Sequence, residues 1–429
     1  MGCKGMRRVR LAIGRVQALA AAVLIGALTT PVLGQEIAAP EGRSFVVEGS
    51  DFAVQGRYLA AAGNCISCHT AVDGEPFAGN VPFQTPFGTI YSSNITPDPD
   101  TGIGRWTKEQ FVRAMREGIR GDGAHLYPAF PYPAFTILSD EDLDALWAFV
   151  RGLPAVQRTV RANELRFPFN QRSLMAVWNL LFFTPARLQF DPKKSQEWNR
   201  GAYLVRGLGH CGACHTPRNS FGAEKAELAL AGGLYKDWVR PGEMRLWSTP
   251  NLTGAKDGLA SWQTSDLERY LKSGHSPRAG IFGPMNEVVG NSTRHLGEAD
   301  IHAMAVYLKD LAPAVEIATS PSATQASAGQ LVYTLRCATC HLPDGSGSIT
   351  TGPPLAGSPV VQTRDPAALI NIILYGARPA PSQQPSWKSM DGFASELDDT
   401  EIANLSNYLR GSWGNVGSPV TPADVARQR

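Results

Sequence analysis

Three pentapeptides constrain this chain more than any other feature: Cys65-Ile-Ser-Cys68-His69, Cys211-Gly-Ala-Cys214-His215 and Cys337-Ala-Thr-Cys340-His341. Of the seven cysteines only Cys3, near the N-terminus, stands outside them. Two residues between the cysteines put both sulfurs within reach of the two vinyl groups on one porphyrin edge, and the next histidine swings under the iron as its proximal ligand. The pattern predicts three covalently bound haem c groups, with Cys65, Cys68, Cys211, Cys214, Cys337 and Cys340 as attachment points and His69, His215 and His341 on iron. Redox disulfides and zinc sites also use C-x-x-C pairs. Neither explains a histidine directly after the second cysteine three times over.

A chain of 429 residues is too long for one ordinary core and predicts about three domains. The repeats agree. A glycine and an aromatic precede each haem motif: Gly56 and Tyr58, Gly201 and Tyr203, Gly329 and Tyr333. A later apolar stripe at helical spacing recurs as Leu143, Leu146 and Phe149, as Ile301, Met304 and Tyr307, and as Ile402, Leu405 and Tyr408. Acidic residues open each of these helices, as the positive helix start favours. The fold class expected is mostly α, three tandem small single-haem cytochrome c domains, spanning 45–155, 195–312 and 327–416. An apolar linker over 156–194 and a flexible, Pro/Ala/Ser/Thr-rich linker over 313–326 separate them, and 417–429 reads as a short polar tail. The run from Leu174 to Phe183 is too short to span a membrane and reads as a buried linker helix.

The first 34 residues hold five basic residues and no acid, then an apolar run from Val16 to Leu28, and they read as a signal peptide cleaved after Gly34. Without them the net charge of +2 turns negative, and no basic stripe interleaved with aromatics remains to suggest nucleic-acid binding. No G-x-G-x-x-G segment between a strand and a helix suggests a flavin or nicotinamide fold.

Haem iron held by His and Met has both axial positions filled, which suits electron transfer. A middle helix in each repeat ends in glycine, at Gly118, Gly274 and Gly376, and Met285 and Met390 fall on the loops that follow the last two. They are the expected sixth ligands of the second and third haems. In the first repeat Phe130 stands where methionine is expected, so that haem is either five-coordinate or bound by a non-methionine group. Met115 and Met304 occupy core slots of the repeat, and His125 is the best local replacement.

Residues 85–98, from Thr85-Pro86-Phe87-Gly88-Thr89 to Asp98, then Leu126-Tyr127-Pro128-Ala129, Asn199-Arg200-Gly201-Ala202-Tyr203-Leu204, Gly283-Pro284-Met285 and Trp413-Gly414-Asn415 carry a resemblance. Over residues 50 to 416 the chain resembles the tri-haem cytochrome c subunits of bacterial membrane-bound dehydrogenases. The resemblance implies a periplasmic, membrane-associated complex. In it a separate quinoprotein, flavoprotein or molybdoprotein subunit oxidises an alcohol, sugar or aldehyde, and this chain relays electrons to ubiquinone or a terminal oxidase. It matches the proximal histidines, Met285 and Met390, and departs at Phe130, where relatives typically carry methionine. Two other readings stand beside it: a peroxidase-like haem enzyme using an open first haem, and a free-standing electron carrier.

Overall fold

The computed structural model describes residues 51–429 apart from 241–242, 315–320, 322, 349 and 378–386, and omits the side chains of 238–240 and 323–326. The signal peptide expected over 1–34, Cys3, the start of the first domain at 45 and much of the 313–326 linker fall outside these residues.

Three helix pairs organise the chain. In the first, α1 (Phe52–Ala62), capped by the Asp51 side chain, crosses α5 (Asp140–Arg151), capped by Ser139. The crossing is close because Gly56 has no side chain: a Cβ there would lie 1.9 Å from the Ala145 carbonyl oxygen. Between these helices come α2 (Cys65–His69), the hairpin β1 (Pro82–Thr85) and β2 (Gly88–Tyr91), α3 (Lys108–Glu117) and α4 (Tyr132–Phe135). Helix α3 opens with a Thr107/Gln110 capping box and stops at Gly118, whose φ of 65° suits glycine. The linker then adds β3 (Glu164–Leu165) to the hairpin edge, with Leu165 opposite Gly88, and forms α6 (Leu174–Phe182).

The second pair repeats the plan. Helix α7 (Gln196–Tyr203), prolonged by a π-helical turn over Leu204–Leu208, crosses α11 (Glu298–Lys309), and a Cβ on Gly201 would lie 1.9 Å from the Ala303 carbonyl oxygen. Between them lie α8 (Gly212–His215), a hairpin of β4 (Gly233–Arg240) and β5 (Glu243–Thr249), α9 (Thr264–Ser273), which ends at Gly274, and α10 (Met285–Asn291). In the third pair α12 (Ala323–Arg336) crosses α15 (Asp399–Gly411), and a Cβ on Gly329 would lie 2.1 Å from the Asn404 carbonyl oxygen. Helices α13 (Ala338–His341) and α14 (Ala367–Tyr375) lie between them. Residues 417–429, read from sequence as a separate tail, instead belong to this third unit. Val420 and Val425, the latter in α16 (Pro422–Ala426), are buried in its core, and the Asn407 side chain bonds both backbone groups of Val420.

The first two units share one core, in which Leu59 and Leu143 meet Leu204, Leu208, Leu296 and Ile301. Two tyrosines cross between them. Tyr58 donates to Asp300 (2.6 Å) and Tyr203 donates to Asp142 (2.6 Å), so each unit's first helix bonds the first turn of the other's last helix. This exchange joins the two units, and the linker helix adds to it: Asn179 accepts from Tyr132 of the first unit and Trp178 donates to the Phe221 carbonyl of the second. The expectation of a buried linker helix is corrected, because only Trp178 of α6 is buried and Leu174, Val177, Leu180 and Leu181 are exposed. Trp178 packs with Tyr132 and Ala223 in a small satellite cluster. The third unit has its own core around Tyr333, Ile370, Leu374 and Ile402. It docks on β5 through Asn371, which donates to the Leu246 carbonyl (2.8 Å), and through the Arg245 guanidinium over the Tyr375 ring.

Candidate haem-binding sites

Each pentapeptide histidine is the last residue of a short helix, α2, α8 or α13. Each turns its Nδ1 to a backbone carbonyl further along the chain: His69 to Ser93 (2.7 Å), His215 to Pro250 (2.8 Å) and His341 to Pro353 (2.8 Å). A carbonyl only accepts, so Nδ1 carries the proton and Nε2 the lone pair. This is the tautomer and ring anchoring that a metal-ligating imidazole uses. Burial pulls all three imidazoles below the ordinary range, outweighing the carbonyl bond, and keeps them neutral.

The first two accepting carbonyls are themselves held by a device the sequence reading missed. Asn94 Oδ1 accepts from the Thr96 backbone (3.0 Å) and hydroxyl (2.7 Å), while its Nδ2 donates to the Val156 carbonyl (2.8 Å). Asn251 repeats this with Thr253 (2.8 and 2.7 Å) and the Ala314 carbonyl (3.2 Å). The Asn-x-Thr spacing was available as a signal, but the β4–β5 hairpin inserted ahead of Asn251 breaks the register of the repeat.

The six cysteines are free. Burial pushes the thiols of Cys65, Cys68 and Cys211 up to about 12, and those of Cys214 and Cys337 up to about 11, so without a bound group these sulfurs stay protonated. Among the described residues no group of three or more His, Cys, Asp or Glu could hold a metal directly. After burial, repulsion from Cys65, Cys214 and Glu287 raises Cys68 further, so the first two motifs lie within electrostatic reach of each other. The helix that begins at Met285 docks on the first motif: Asn291 donates to the Ser67 hydroxyl (2.8 Å), and Ser292 donates to the Ala62 carbonyl (3.1 Å). A cleft of about 2280 Å³, bounded by Cys68, Cys214, Tyr235 and Trp178, runs between the two motifs.

The sixth-ligand candidates fall on matching backbone. The N–H of Leu126 donates to the Gly118 carbonyl (2.7 Å) and that of Ile281 to the Gly274 carbonyl (2.9 Å). Phe130 follows the first, and Met285 the second, at the same interval, and both side chains pack half-buried on the shared core. The Phe130 ring also meets Phe135 edge-on at 5.5 Å. Met390 exchanges both backbone bonds with Ala377 (3.0 and 2.8 Å), just beyond Gly376. Met115 and Met304 are buried in the core, and the His125 Nδ1 is buried without a partner among the described residues.

The donor set fits haem: three neutral imidazoles with an available Nε2, paired half-buried sulfurs and apolar walls. The Trp262 indole N–H is buried without a partner among the described residues, a donor suited to a carboxylate of the bound group.

Comparison with known proteins agrees with this chemistry. The cytochrome c family model matches residues 53–154 and 326–413, leaving the second motif outside both stretches. The chain is 40% identical to the cytochrome c subunit of alcohol dehydrogenase (quinone) of Gluconobacter oxydans (strain 621H), over 87% of this chain and 81% of the relative. It is 39% identical to the gluconate 2-dehydrogenase cytochrome c subunit of Pantoea cypripedii (87% and 89%), and 36% identical to the fructose dehydrogenase cytochrome subunit of Gluconobacter japonicus (87% and 82%). Identity at this level over most of both chains, with covalent haem chemistry written into its Cys/His motifs, makes this chain a member of the family of dehydrogenase cytochrome c subunits, which transfer electrons and are not the catalytic subunits.

Proposed function

We propose that the chain carries three haem c groups in tandem, one in each of the three units. It relays electrons from a separate catalytic dehydrogenase subunit to ubiquinone or a terminal oxidase, at the periplasmic surface of the cytoplasmic membrane after export by the signal peptide. The observation that carries this reading is the thrice-repeated anchoring of a neutral histidine, at His69, His215 and His341, beside paired cysteines. Bound haem iron supplies reversible one-electron transfer. Cys65, Cys68, Cys211, Cys214, Cys337 and Cys340 hold its porphyrins, and Met285 and Met390 complete the ligation of the second and third. The proximity of the first two motifs supports transfer between them. The names of the relatives support a partner that oxidises an alcohol or a sugar acid, whether quinoprotein, flavoprotein or molybdoprotein.

Affinity purification of the tagged protein from membranes tests the reading. A catalytic subunit with its own cofactor is expected to co-purify, and its substrate is expected to reduce the haems. A preparation without such a subunit, whose haems respond to no dehydrogenase substrate, overturns it.

A further inference from the structure

The helix that begins at Met285 is tied at its far end to a different unit. Helix α10 runs from Met285 to Asn291, about 10 Å, and Val289 is its one buried residue, so what holds its ends decides where it sits. At the C-terminal end Asn291 Nδ2 donates to the Ser67 hydroxyl (2.8 Å), and the next residue, Ser292, donates to the Ala62 carbonyl (3.1 Å). Ser67 lies between the two cysteines of the first pentapeptide, and Ala62 is the last residue of α1. One end of this short helix bears the proposed sixth ligand of the second haem, and the other rests on the peptide that attaches the first.

The serine is itself oriented for this contact. Its hydroxyl donates to Asn64 Oδ1 (2.8 Å), which leaves the oxygen lone pairs to the Asn291 amide. Asn64 takes up that position with a φ of 50°, in the left-handed region that asparagine tolerates. The second pentapeptide is arranged differently. Ala213 stands in the place of Ser67, and His210, with a φ of 34°, in the place of Asn64. The helix that meets it is α4, which follows Phe130 as α10 follows Met285, and there the contact is ring on ring: Phe135 meets His210 edge-on at 5.5 Å. The hydrogen-bonded tie thus falls on the loop that offers methionine, and the aromatic contact on the loop that offers Phe130.

We propose that Ser67, inside the first haem's attachment peptide, is a positioning residue for the second haem: through Asn291 it holds α10 in place and keeps Met285 on the second iron. This inference rests on the assignment of Met285 as sixth ligand made above and deepens it. A short helix anchored at one end by a side chain opens locally when that anchor is lost, so the tie shifts the balance between bound and released methionine.

The test is titration of the haem-loaded ferric protein with imidazole, which competes with methionine for iron, followed through the methionine-to-iron band. The phase missing from Met285→Leu belongs to the second haem, and the phase that remains belongs to Met390 and serves as internal reference. Ser67→Ala and Asn291→Ala are each expected to lower the imidazole concentration that displaces Met285 about threefold, the worth of one partly exposed hydrogen bond, with the Met390 phase and the haem mass unchanged. The double variant is expected to shift no further, since both changes remove the same bond. Ser67→Thr, which keeps a hydroxyl and matches Thr339 of the third pentapeptide, is expected to restore the wild-type value. Single variants that titrate like wild type, additive shifts in the double variant, or an equal shift of the Met390 phase overturn the positioning role and leave Met285 as ligand. If Met285→Leu removes no phase, the ligand assignment falls and the proposal with it.

Discussion

Phe130 sits at the backbone position that Met285 occupies in the second unit, fixed by the same helix-ending glycine and the same hydrogen bond to its carbonyl from the residue four places earlier. A phenyl ring cannot ligate iron, so the proposed ligand set gives two methionine-bound haems. Ferric protein is expected to show two equivalents of the methionine-to-iron band at the red end of the visible spectrum. Phe130→Met is expected to add a third and raise the potential of the first haem in a redox titration, whereas Met285→Leu leaves one. A wild-type spectrum with three equivalents refutes the assignment. The histidine orientations belong to this scale too. Each rests on a carbonyl 12 to 35 residues away along the chain, so the pentapeptide names the ligand while a distant segment aims it.

At the scale of elements, the helix crossings depend on three glycines. Gly→Ala inside a helix normally gains about 1 kcal/mol of propensity, but at Gly56 or Gly201 the new Cβ meets a carbonyl oxygen at 1.9 Å. Overpacking wins: either substitution is expected to cost about 3 kcal/mol in denaturant unfolding, with the midpoint shifting accordingly. The tyrosine exchange carries a second expectation. Arg200 donates twice to Asp300 (both 2.8 Å), alongside Tyr58, whereas Asp142 accepts from Tyr203 and Gln55. Burial acts to raise both carboxyls. It prevails at Asp142, while at Asp300 the hydrogen bonds and the guanidinium charge reverse it and hold the group low. Asp300→Ala strands a largely buried guanidinium and is expected to cost about 3–5 kcal/mol near neutral pH. A depressed carboxyl stabilises above its unfolded value, near pH 4, and loses that contribution as pH falls through its folded value. The gap between wild type and variant should therefore narrow on acidification; a constant gap argues against an ionic role. In the third unit Leu331, 65% exposed, stands where Tyr58 and Tyr203 stand after their glycines, so this unit has no tyrosine to exchange.

At the scale of the whole molecule, two cores rather than three hold the described chain: one shared by the first two units, one belonging to the third. The third is attached through β5 and α14, and the His275 and Trp387 rings meet tilted at 4.1 Å. Acid-denatured protein is expected to exceed the mass of its bare polypeptide by three porphyrins. Cys337→Ala/Cys340→Ala is expected to remove one and to leave the spectra and stability of the first two sites intact, because their core lacks any residue of the third unit. Loss of all haem in that variant contradicts the division.

Covalent haem attachment was legible in sequence because its chemistry is local: two sulfurs and an imidazole need only adjacent residues to reach one porphyrin edge. Helix ends were legible for the same reason, since Gly118 and Gly274 stop α3 and α9 by their own backbone freedom. The closing of the Asn94 and Asn251 amides on Val156 and Ala314, the exchange of Tyr58 and Tyr203 between units, and the side of α6 that packs were decided by tertiary structure alone. Each is a relation between segments far apart in the chain, and α6 shows why pattern does not suffice: an apolar run states that water is unfavourable on every side, but only the packed neighbours determine which side they cover.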